Sequence, residues 1–506
     1  MFKLYLFKKP IKMYNSLVKK QRRIVMLERI PEKIPKIGVF AVAHGTYWAQ
    51  FEGLKDNMEK YHADLISLIG ENKVEIVDLG IVDESEAGFR AAERFNAENV
   101  DLIFCNMITY ATSSVFAPVL RNCSAPMVLV ALQPRSAMDY ERANTFMQLE
   151  NDNICSVPEF CGVALRMNKT IHDVIIGKLY GDEQAKKEIS EWCTIAKALR
   201  AMKGARIGLM GHVLEAMYDM HTDPTAFFSA FGIHVPLLEI DDLLAEYKKV
   251  TDEEIEREKQ VIREEFDMPD PKSDPLTMKL TDDDLYRAAR ASVALEHFRV
   301  KHKLDGLAYF YNGGEGSEHR MLASSLILGN SMLIARGISM CGEYDIKTCL
   351  AMYIMDSIGI GGSFAEIHPF DFDSDCILVG HDGPHHIQLA QGKPVVRSLK
   401  KYHGKEGSGA SVEFKLKEGD FTMLGINQNA DGSFRFVIGE GVSNDGPIPP
   451  TGNTNTRASF APDTPTFIKK WCMAGPTHHF ALGTGKYAGT LEKLGKILGV
   501  TTVVVK

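Results

Sequence analysis

The chain has 506 residues, 45% of them hydrophobic and 25% charged, and its formal net charge is −8. This length is too great for one ordinary core, so we expect roughly two to four domains with the composition of a soluble globular protein. The first 36 residues carry 11 Lys and Arg against 2 Asp and Glu, which leaves about −17 on the remainder. Such an acidic body argues against a nucleic-acid partner.

The cysteines and the N-terminal stretch indicate in which cellular compartment the protein is expected. The nine Cys are scattered without a Cys-x-x-Cys pair, which is typical of reduced thiols in a cytoplasm. No run of 18 apolar residues could span a membrane, and Lys8 and Lys9 break the apolar residues near the N-terminus, unlike a signal peptide. We expect a cytoplasmic protein without a membrane partner. Residues 1–35 are predicted to be a disordered basic extension, with a targeting or membrane-surface role as the alternative.

The first predicted domain, residues 36–200, alternates short apolar runs with helical patterns. The predicted strands are residues 36–42, 74–79, 100–105 and 126–130, and the predicted helices include 51–69 and 84–97, with only helical patterns over 151–201. Strands that alternate with helices form parallel sheets, so we predict a flavodoxin-like α/β domain. His44, Tyr47 and Gln133 follow predicted strands and either line the carboxyl edge of this sheet or are ordinary polar loop residues.

A second α/β domain is predicted at residues 201–359 and a β-rich domain at 360–506. The second domain repeats the alternation, with strands at 205–210, 234–238 and 306–310 and helices at 224–231, 251–266 and 282–302. Further strands are predicted at 375–380, 412–416, 421–428 and 433–440, with a hairpin turn at 429–432 and a final helix and strand at 491–505. The expected fold is two successive Rossmann-like parallel-sheet domains followed by a β-sandwich or barrel.

Three residues between positions 340 and 386 are suited to binding a divalent metal and moving protons. Glu343 precedes an amphipathic segment, residues 345–357, which Asp345 is placed to cap. Glu366 follows a glycine run and has apolar neighbours, which makes a solvated surface role less favoured. His381 ends a predicted strand, from which its ring can point into a cleft.

Further histidines compete for the remaining ligand positions. His385 and His386 are alternatives to His381. His478 and His479 are adjacent, and because neighbours in an extended chain point opposite ways, we expect at most one of them to bind. Two carboxylates and two imidazoles form a mixed ligand set that suits Mn, Fe, Co or Zn better than Ca. Such a site can polarise a carbonyl while a Glu carries a proton between neighbouring carbons.

Four segments occur in an order and spacing found in a known family. They read CGEYDIKT at 341–348, GSFAE at 362–366, VGH at 379–381 and AGPTHH at 474–479, with weaker support from FMQL at 146–149 and EFCG at 159–162. On these segments, and from about residue 36 to its end, the chain resembles the L-arabinose isomerase family within the L-fucose/L-arabinose isomerase group.

The resemblance implies a metal site, an activity and an assembly. The implied Mn²⁺ ligands, with Co²⁺ or Fe²⁺ as other candidate metals, are Glu343, Glu366, His381 and His479. The two Glu would also form the acid/base pair for an enediol route between aldose and ketose. His478 and, on a weaker match, Gln133 would contact the sugar. The family's assembly implies a homo-oligomer, a trimer-based hexamer, with an active site shared between neighbouring subunits.

The chain departs from the family pattern around these residues. The family usually reads GEGDWKT, whereas here Tyr344 and Ile346 replace the second Gly and the Trp. Residues 367–369 replace the acid and aromatic residues that usually follow Glu366, and residues 382–384 replace the Met-Leu-Glu that usually follows His381. The stretch 312–316 has no clear counterpart in the family. Because losing one hydrogen-bond partner of a hydroxyl changes sugar preference strongly, the reaction class transfers better than the identity of the sugar.

Three functions compete on this sequence. The favoured one is a metal-dependent aldose–ketose isomerase, with L-arabinose as the leading named sugar. The second is another metal-assisted reaction of a sugar or polyol, such as that of an epimerase, aldolase or lyase, on the same scaffold. The third is a non-catalytic sugar-binding protein made of two α/β lobes. Metal-dependent formation of a ketose separates the first from the other two.

Overall fold

The computed structural model describes residues 27–214, 217–270, 277–399, 401–402, 405–406 and 409–506. Within these ranges the predicted fold class is confirmed, with two parallel α/β sheets followed by an antiparallel barrel. No helix in the described part is long and apolar enough to cross a membrane. Residues 1–26 of the predicted extension lie outside the described residues, and residues 27–35 lead into the first strand without forming a helix or strand.

The N-terminal unit is a five-stranded parallel sheet. Its strands are β1 Lys36–Val42, β2 Glu75–Val82, β3 Leu102–Met107, β4 Met127–Gln133 and β5 Ile171–Lys178. Its helices are α1 Tyr47–Gln50, α2 Leu54–Gly70, α3 Ser85–Glu98, α4 Ser113–Asn122, α5 Thr145–Glu150, α6 Val157–Arg166 and α7 Glu183–Met202. The strand order is β2-β1-β3-β4-β5 with every pair parallel, which is the flavodoxin-like order.

Strand β5 corrects the prediction that residues 151–201 hold helical patterns alone. It is the edge strand of the sheet, and Ile175 is its one buried residue. His172 and Asp173 interrupt its apolar residues, so the run shows neither a buried strand nor a clean alternation. Pairing with β4 makes this segment a strand, and that contact depends on the tertiary structure.

The central unit contains the second parallel sheet and most of the long helices. Its strands are β6 Ile207–Gly211, β7 Leu237–Leu238, β8 Thr277–Met278, β9 Gly306–Phe310 and β10 Ser339–Cys341. Its helices are α8 Pro224–Phe231, α9 Ile240–Lys249, α10 Asp252–Glu265, α11 Asp282–His302, α12 Glu318–Ser324, α13 Ile327–Ala335 and α14 Ile346–Ser357. The parallel order is β10-β9-β6-β7, and the short β8 belongs to another sheet.

The C-terminal unit is a closed six-stranded barrel. Its strands are β11 Ser363–Asp371, β12 Cys376–His381, β13 Val395–Leu399, β14 Lys401–Tyr402, β15 Lys405–Glu406, β16 Ser411–Glu413, β17 Gly419–Gln428, β18 Phe434–Ser443, β19 Thr454–Ser459, β20 Phe480–Thr484 and β21 Thr501–Val504, with helices α15 Thr464–Met473 and α16 Ala488–Ile497. The order β17-β20-β11-β12-β19-β18 closes because β18 pairs back with β17, and β21 runs parallel beside β18. Strands β16, β13 and β8 form a small separate sheet, and β14 pairs with β15.

Helix α14 is buried on all sides, which corrects the expectation of an amphipathic segment. Residues 346–356 are all buried, and the helix lies between the second sheet and the barrel. Its polar residues have internal partners. The ammonium of Lys347 donates to the carbonyls of Asp219 and His221 and to the Thr222 hydroxyl, at 2.8, 3.2 and 2.8 Å. The charged residues make the sequence of this helix look amphipathic, although they are buried and bonded to other parts of the chain.

One continuous buried cluster connects the three units. It includes Ile37 on β1, Trp192 on α7, Leu307 on β9, Ile354 on α14 and Phe436 on β18. Apolar packing thus holds the units together in a single body. The domain boundaries predicted after residues 35, 200 and 359 stay predictions.

Candidate active site

The candidate site is a cavity of about 390 Å³ between the second sheet and the barrel. On the sheet side it lies beyond the carboxyl ends of β6, β9 and β10, where the strand order reverses between β6 and β9. Gly211 ends β6 here at φ +92°, and a Cβ atom would come within 1.8 Å of the carbonyl oxygen of Phe310. On the barrel side, β11 and β12 bring Glu366 and His381 into the cavity wall.

A strained turn between β10 and α14 holds Glu343 in this cavity. Glu343 and Tyr344 both have left-handed backbone angles, with φ +58° and +66°. Such angles cost roughly 1–3 kcal/mol each for residues other than glycine, and they persist where the surroundings fix them. Here the Tyr344 amide donates to the carbonyl of Tyr309 at 3.1 Å, and Asp345 caps α14 by accepting from the Thr348 amide at 3.0 Å. Tyr344 stands where the family usually has glycine, so this chain keeps the turn at a higher conformational cost.

His479 is fully buried and lies between two carboxylates. Its Nδ1 is 3.2 Å from Asp345 Oδ2, and its Nε2 is 3.2 Å from Glu343 Oε2. Nε2 nevertheless makes no well-directed hydrogen bond within the described part of the chain. Burial alone would lower the pKa of His479, but the hydrogen bond to Asp345 and the nearby Glu343 raise that pKa to about 9. A buried ring nitrogen without a hydrogen bond, facing a carboxylate, is the arrangement expected of a metal ligand.

Glu366 lies among three imidazoles. Nε2 of His478 is 2.6 Å from Glu366 Oε2, and the Nε2 atoms of His368 and His381 are 3.6 and 3.8 Å from Oε1. Burial on its own would raise the pKa of Glu366. The hydrogen bond from His478 and the charges of His381, His368 and His478 instead lower that pKa to about 2. The carboxylate is therefore ionised at neutral pH and available as a ligand or a proton acceptor.

Asp382 is placed to set the orientation and tautomer of the His381 ring. Nδ1 of His381 is 3.1 Å from Asp382 Oδ1 and 2.8 Å from the Gly383 amide nitrogen. A ring protonated at Nδ1 donates to Asp382 and leaves the Nε2 lone pair for a metal, whereas a ring that accepts from Gly383 carries its proton on Nε2. Metal binding through Nε2 therefore selects the tautomer paired with Asp382.

The five clustered residues form two overlapping sets of potential metal ligands. One set is Glu343, His381 and His479, and the other is Glu366, His478 and His479, with the ligand atoms in each set within 4.8 Å of one another. Phe364 packs against the rings of His381 and His479, with centroids 4.2 and 4.4 Å away, and gives them an apolar support. The mixed O/N donors and the unsatisfied Nε2 of His479 fit a divalent transition metal.

The structure does not bring the predicted N-terminal residues to this cavity. Gln133 ends β4 and donates through Nε2 to the carbonyl of Arg135 at 2.6 Å. His44 packs edge-on against Tyr47 and near Tyr110, with centroids 5.2 and 6.1 Å away, at the carboxyl end of β1. None of these residues lines the cavity. Within one chain, the N-terminal edge and the ligand cluster are separate.

His385 and His386, the two alternatives to His381, have structural partners. Nε2 of His385 lies 2.9 Å from the carbonyl oxygen of His381, and Nδ1 lies 3.1 Å from the Ser363 hydroxyl. Burial lowers the pKa of His385 to about 3, so its ring is neutral. Nε2 of His386 lies 3.2 Å from Asp356 Oδ1. Both rings hold the loop after β12 rather than enter the ligand sets.

Sequence reasoning did not assign a role to several residues that shape the site. Lys347 ties α14 to residues 219–222, and the Asp219 carboxylate accepts from the His478 amide at 2.8 Å. Asp382 faces His381, and Arg320 lines the cavity from α12. Only Lys347 carried a sequence signal, because it lies in the family segment at 341–348. The partners of the other residues come from distant parts of the chain.

The comparisons with known proteins agree with the resemblance. Residues 361–501 match the model of the L-arabinose isomerase C-terminal domain. The chain is 24% identical over 409 residues to L-arabinose isomerase from Nocardioides sp., a match that covers 79% of each protein. It is 21% identical to L-arabinose isomerase from Levilactobacillus brevis over 88% of this chain and 93% of that protein.

The chain is therefore similar to L-arabinose isomerases over most of its length, and most clearly over its C-terminal barrel. It is also similar to sulfoquinovose isomerase from Alkalicoccus urumqiensis, which is 22% identical over 67% of this chain and 73% of that protein. The matched relatives are thus isomerases with different named sugars.

Proposed function

We propose that this protein is an aldose–ketose isomerase that depends on a divalent transition metal. The observation that carries the proposal is the cluster of two glutamates and three histidines at the switch point of the second sheet, of which all but the buried His479 line the cavity. The isomerases that match the chain over two thirds or more of its length support the reaction class.

Glu343, Glu366, His381 and His479 would hold the metal, with Mn²⁺ as the first candidate and Co²⁺ or Fe²⁺ as others. Their carboxylate and imidazole donors suit such ions. A bound cation would polarise the sugar's carbonyl and the neighbouring hydroxyl. Asp345 and Asp382 would orient His479 and His381 through their Nδ1 atoms.

The two glutamates would carry the proton transfer. One carboxylate removes the proton from C2 of the open-chain aldose, which gives an enediol, and a proton is then returned to C1 while the hydroxyl proton moves from O2 to O1. Both glutamates line the cavity and lie within the ligand sets, so either can reach a sugar bound there. The ketose that forms is an isomer of the aldose, so no further reactant is needed.

His478 links sugar binding to the basicity of Glu366. Its side chain is 49% exposed, and it hydrogen-bonds Glu366 at 2.6 Å. While that bond persists, Glu366 is a weak base because its pKa is held at about 2. A sugar hydroxyl that takes over His478 would remove this stabilisation and make Glu366 a better proton acceptor.

The test is ketose formation by metal-stripped protein with and without added Mn²⁺, across aldopentoses, aldohexoses and 6-deoxy sugars. Mn²⁺-dependent conversion of one sugar supports the proposal. Mn²⁺ binding without conversion of any aldose contradicts it and favours another metal-assisted reaction of a sugar or polyol.

Glu366→Gln tests the role of the carboxylate. If the variant still binds Mn²⁺ and the sugar, we expect turnover to fall by about 10²–10⁴-fold because the amide cannot accept the proton. Glu418→Gln, at an exposed acid just before β17 that pairs with Lys415 and does not line the cavity, is the matched control and should leave turnover unchanged. Full activity of Glu366→Gln would show that the proton transfer is wrongly assigned, and sugar binding without turnover would exclude a simple binding protein.

We also propose that the protein is a homo-oligomer in the cytoplasm whose active site is shared between neighbouring subunits. The separation of Gln133 from the ligand cluster within one chain supports a shared site, because a residue that contacts the sugar would then have to come from a second copy.

A further inference from the structure

Helix α12 forms one wall of the candidate cavity. Arg320, Ala323 and Ser324 line it, with Ile327 at the start of α13. Residues three and four apart share one face of a helix, so α12 presents a single face to the cavity, and Arg320 is its charged residue. Glu366 and His381 on the barrel line the same cavity. The cavity thus holds both the candidate metal ligands and a cationic side chain.

The other face of α12 is anchored to α9. Glu318 Oε2 is 2.7 Å from the ammonium of Lys248, and His319 Nε2 is 2.8 Å from Asp241 Oδ1. These contacts hold the first turn of α12, so the neighbours of Arg320 in sequence face away from the cavity. The position of Arg320 therefore follows from the way the helix is docked.

The loop before α12 is largely exposed, at residues 312 and 314–316. At Gly313 a Cβ atom would come within 2.4 Å of the Tyr311 ring, so a larger side chain there would displace that ring. Tyr311 and Asn312 line the same cavity as Arg320.

The guanidinium of Arg320 makes no hydrogen bond or ion pair with any residue in the described ranges. By contrast, Arg299 is paired with Glu296 at 2.7 Å. Arg320 is half-buried and lines the same cavity as Glu343, Glu366 and Asp382. A planar group with five donors in a small-molecule cavity is suited to a carboxylate, sulfonate or phosphate.

The geometry points to an aldose that carries an anionic group at the end remote from its carbonyl. The guanidinium of Arg320 receives the anion, while the ligand cluster receives C1 and C2. This inference rests on the proposed isomerase function and specifies its substrate class. A cavity of about 390 Å³ has the size of an ordinary small-molecule site and accommodates a substituted hexose. The relative named as a sulfoquinovose isomerase is consistent with a charged sugar in this family.

The experiment compares matched neutral and anionic aldoses with the Mn²⁺-loaded protein. In the gluco series these are D-glucose, D-glucuronate, D-glucose 6-phosphate and 6-deoxy-6-sulfo-D-glucose, and the galacto counterparts are tested in the same way. We expect kcat/KM for one anionic sugar to exceed that of its neutral counterpart by at least about tenfold. The anion that is preferred distinguishes carboxylate, phosphate and sulfonate.

Arg320→Gln should lower kcat/KM for that anionic sugar by about 10- to 100-fold, mainly through KM, because a charge-assisted hydrogen bond is lost. Turnover of the neutral counterpart should change little. Arg320→Lys keeps the charge but not the planar fork and should retain part of the preference. Arg121→Gln, at an exposed arginine in the last turn of α4, is the control for loss of one positive charge. Equal turnover of neutral and anionic sugars, or equal losses for both in Arg320→Gln, would overturn the inference.

Binding of alditols separates this inference from the proposed function. D-glucitol and D-glucitol 6-phosphate lack a carbonyl, so calorimetry with the wild type and Arg320→Gln tests anion recognition without turnover. If the wild type binds D-glucitol 6-phosphate more tightly than D-glucitol, and Arg320→Gln loses this difference, the inference is supported even if no aldose is isomerised. Binding that is equal for the two alditols, or unaffected by Arg320→Gln, overturns it even if a neutral sugar is isomerised.

Discussion

At the scale of single residues, two aspartates outside the proposed ligand set lie beside the Nδ1 atoms of two imidazoles inside it. Asp345 lies 3.2 Å from Nδ1 of His479, and Asp382 lies 3.1 Å from Nδ1 of His381. A carboxylate at Nδ1 fixes the tautomer and makes Nε2 a better ligand. Asp345 also caps α14, so one side chain links a helix start to a ligand.

Asp345→Asn separates these two roles. Asparagine caps helices as well as aspartate does, so we expect α14 to remain folded. Its neutral amide supports His479 less well, and the affinity for Mn²⁺ should fall by about 10- to 100-fold. Calorimetric titration of metal-stripped protein with Mn²⁺ measures this change.

Asp463→Asn is the matched control, because Asp463 caps α15 by accepting from the Thr466 amide at 2.8 Å and is absent from the ligand sets. It should leave Mn²⁺ affinity unchanged. If Asp345→Asn binds Mn²⁺ as tightly as the wild type, the carboxylate does not orient His479.

Metal binding should also raise the melting temperature. A metal that binds only the folded chain stabilises it by about 2.7 kcal/mol at one hundred times its dissociation constant. We expect Mn²⁺ to raise the Tm of the wild type and to raise that of His381→Ala far less. His172→Ala, at a histidine on β5 outside the cluster, should keep the full shift. A wild-type Tm that does not respond to Mn²⁺ would contradict the proposed site.

At the scale of elements, the segment before β1 is clamped to the end of α14. Arg29 forms two hydrogen bonds to Asp356, both of 2.9 Å, and Asp356 also meets His386 at 3.2 Å. The Ile30 amide donates to the carbonyl of Arg336 at 3.0 Å. Residues before the first strand therefore help to hold the helix and the loop that frame the candidate site.

Arg29→Gln should lower the free energy of unfolding by about 1–3 kcal/mol, since it breaks a bidentate pair whose carboxylate is buried while the guanidinium stays partly exposed. Burial alone would raise the pKa of Asp356, but hydrogen bonds from His386 and Arg29 lower that pKa below 3.8. A lowered folded-state pKa stabilises the protein above the unfolded value and loses that effect as the pH falls through the folded value. The difference between wild type and variant should thus persist at neutral pH and shrink below about pH 4.

Chemical denaturation at several pH values measures this difference. The groups facing Asp356 are Arg29 and His386, and Glu32 pairs with Arg29 from the same segment at 3.2 Å. Arg90→Gln, which removes an exposed surface pair with Glu84, is the control and should cause no measurable loss. If the wild type exceeds Arg29→Gln in free energy of unfolding by the same amount at pH 3 and pH 7, the charge of Asp356 does not account for the difference in stability.

At the scale of the whole molecule, the N-terminal sheet and the ligand cluster lie apart within one chain. Gln133 and the ring cluster of His44, Tyr47 and Tyr110 occupy the carboxyl edge of the first sheet. Open α/β sheets bind ligands at that edge. A shared site in an oligomer would bring the edge of one copy to the cavity of another.

Mixing inactive variants tests this arrangement. Gln133→Ala and Glu366→Gln are each expected to lose activity, and subunits exchanged between them should recover activity above either alone if a site draws residues from two copies. The measurement is turnover after unfolding and co-refolding, with each variant refolded separately as the control. Activity that never exceeds the better single variant would place Gln133 and Glu366 in sites that are not shared.

The sequence by itself determined the elements whose patterns are local. Strands β1 and β9 and helix α11 begin and end where the apolar runs and helical spacing predicted, at Lys36–Val42, Gly306–Phe310 and Asp282–His302. The turn predicted at 429–432 joins β17 to β18. Such features depend on neighbours a few residues away, so they can be read without the fold. The motif segments also singled out the glutamates and histidines that the structure brings together.

The tertiary structure alone decided the features that depend on distant partners. Strand β5 exists because it pairs with β4, α14 is buried because sheet and barrel enclose it, and the barrel closes because β18 returns to β17. In the same way, Arg320 enters the cavity because α12 is docked on α9, and Gln133 stays outside it. The sequence neighbours of such a residue do not show whether its side chain or backbone is paired in the folded chain. Burial and contact across the chain give each of them its role, because these fix the desolvation and hydrogen bonding on which chemistry depends.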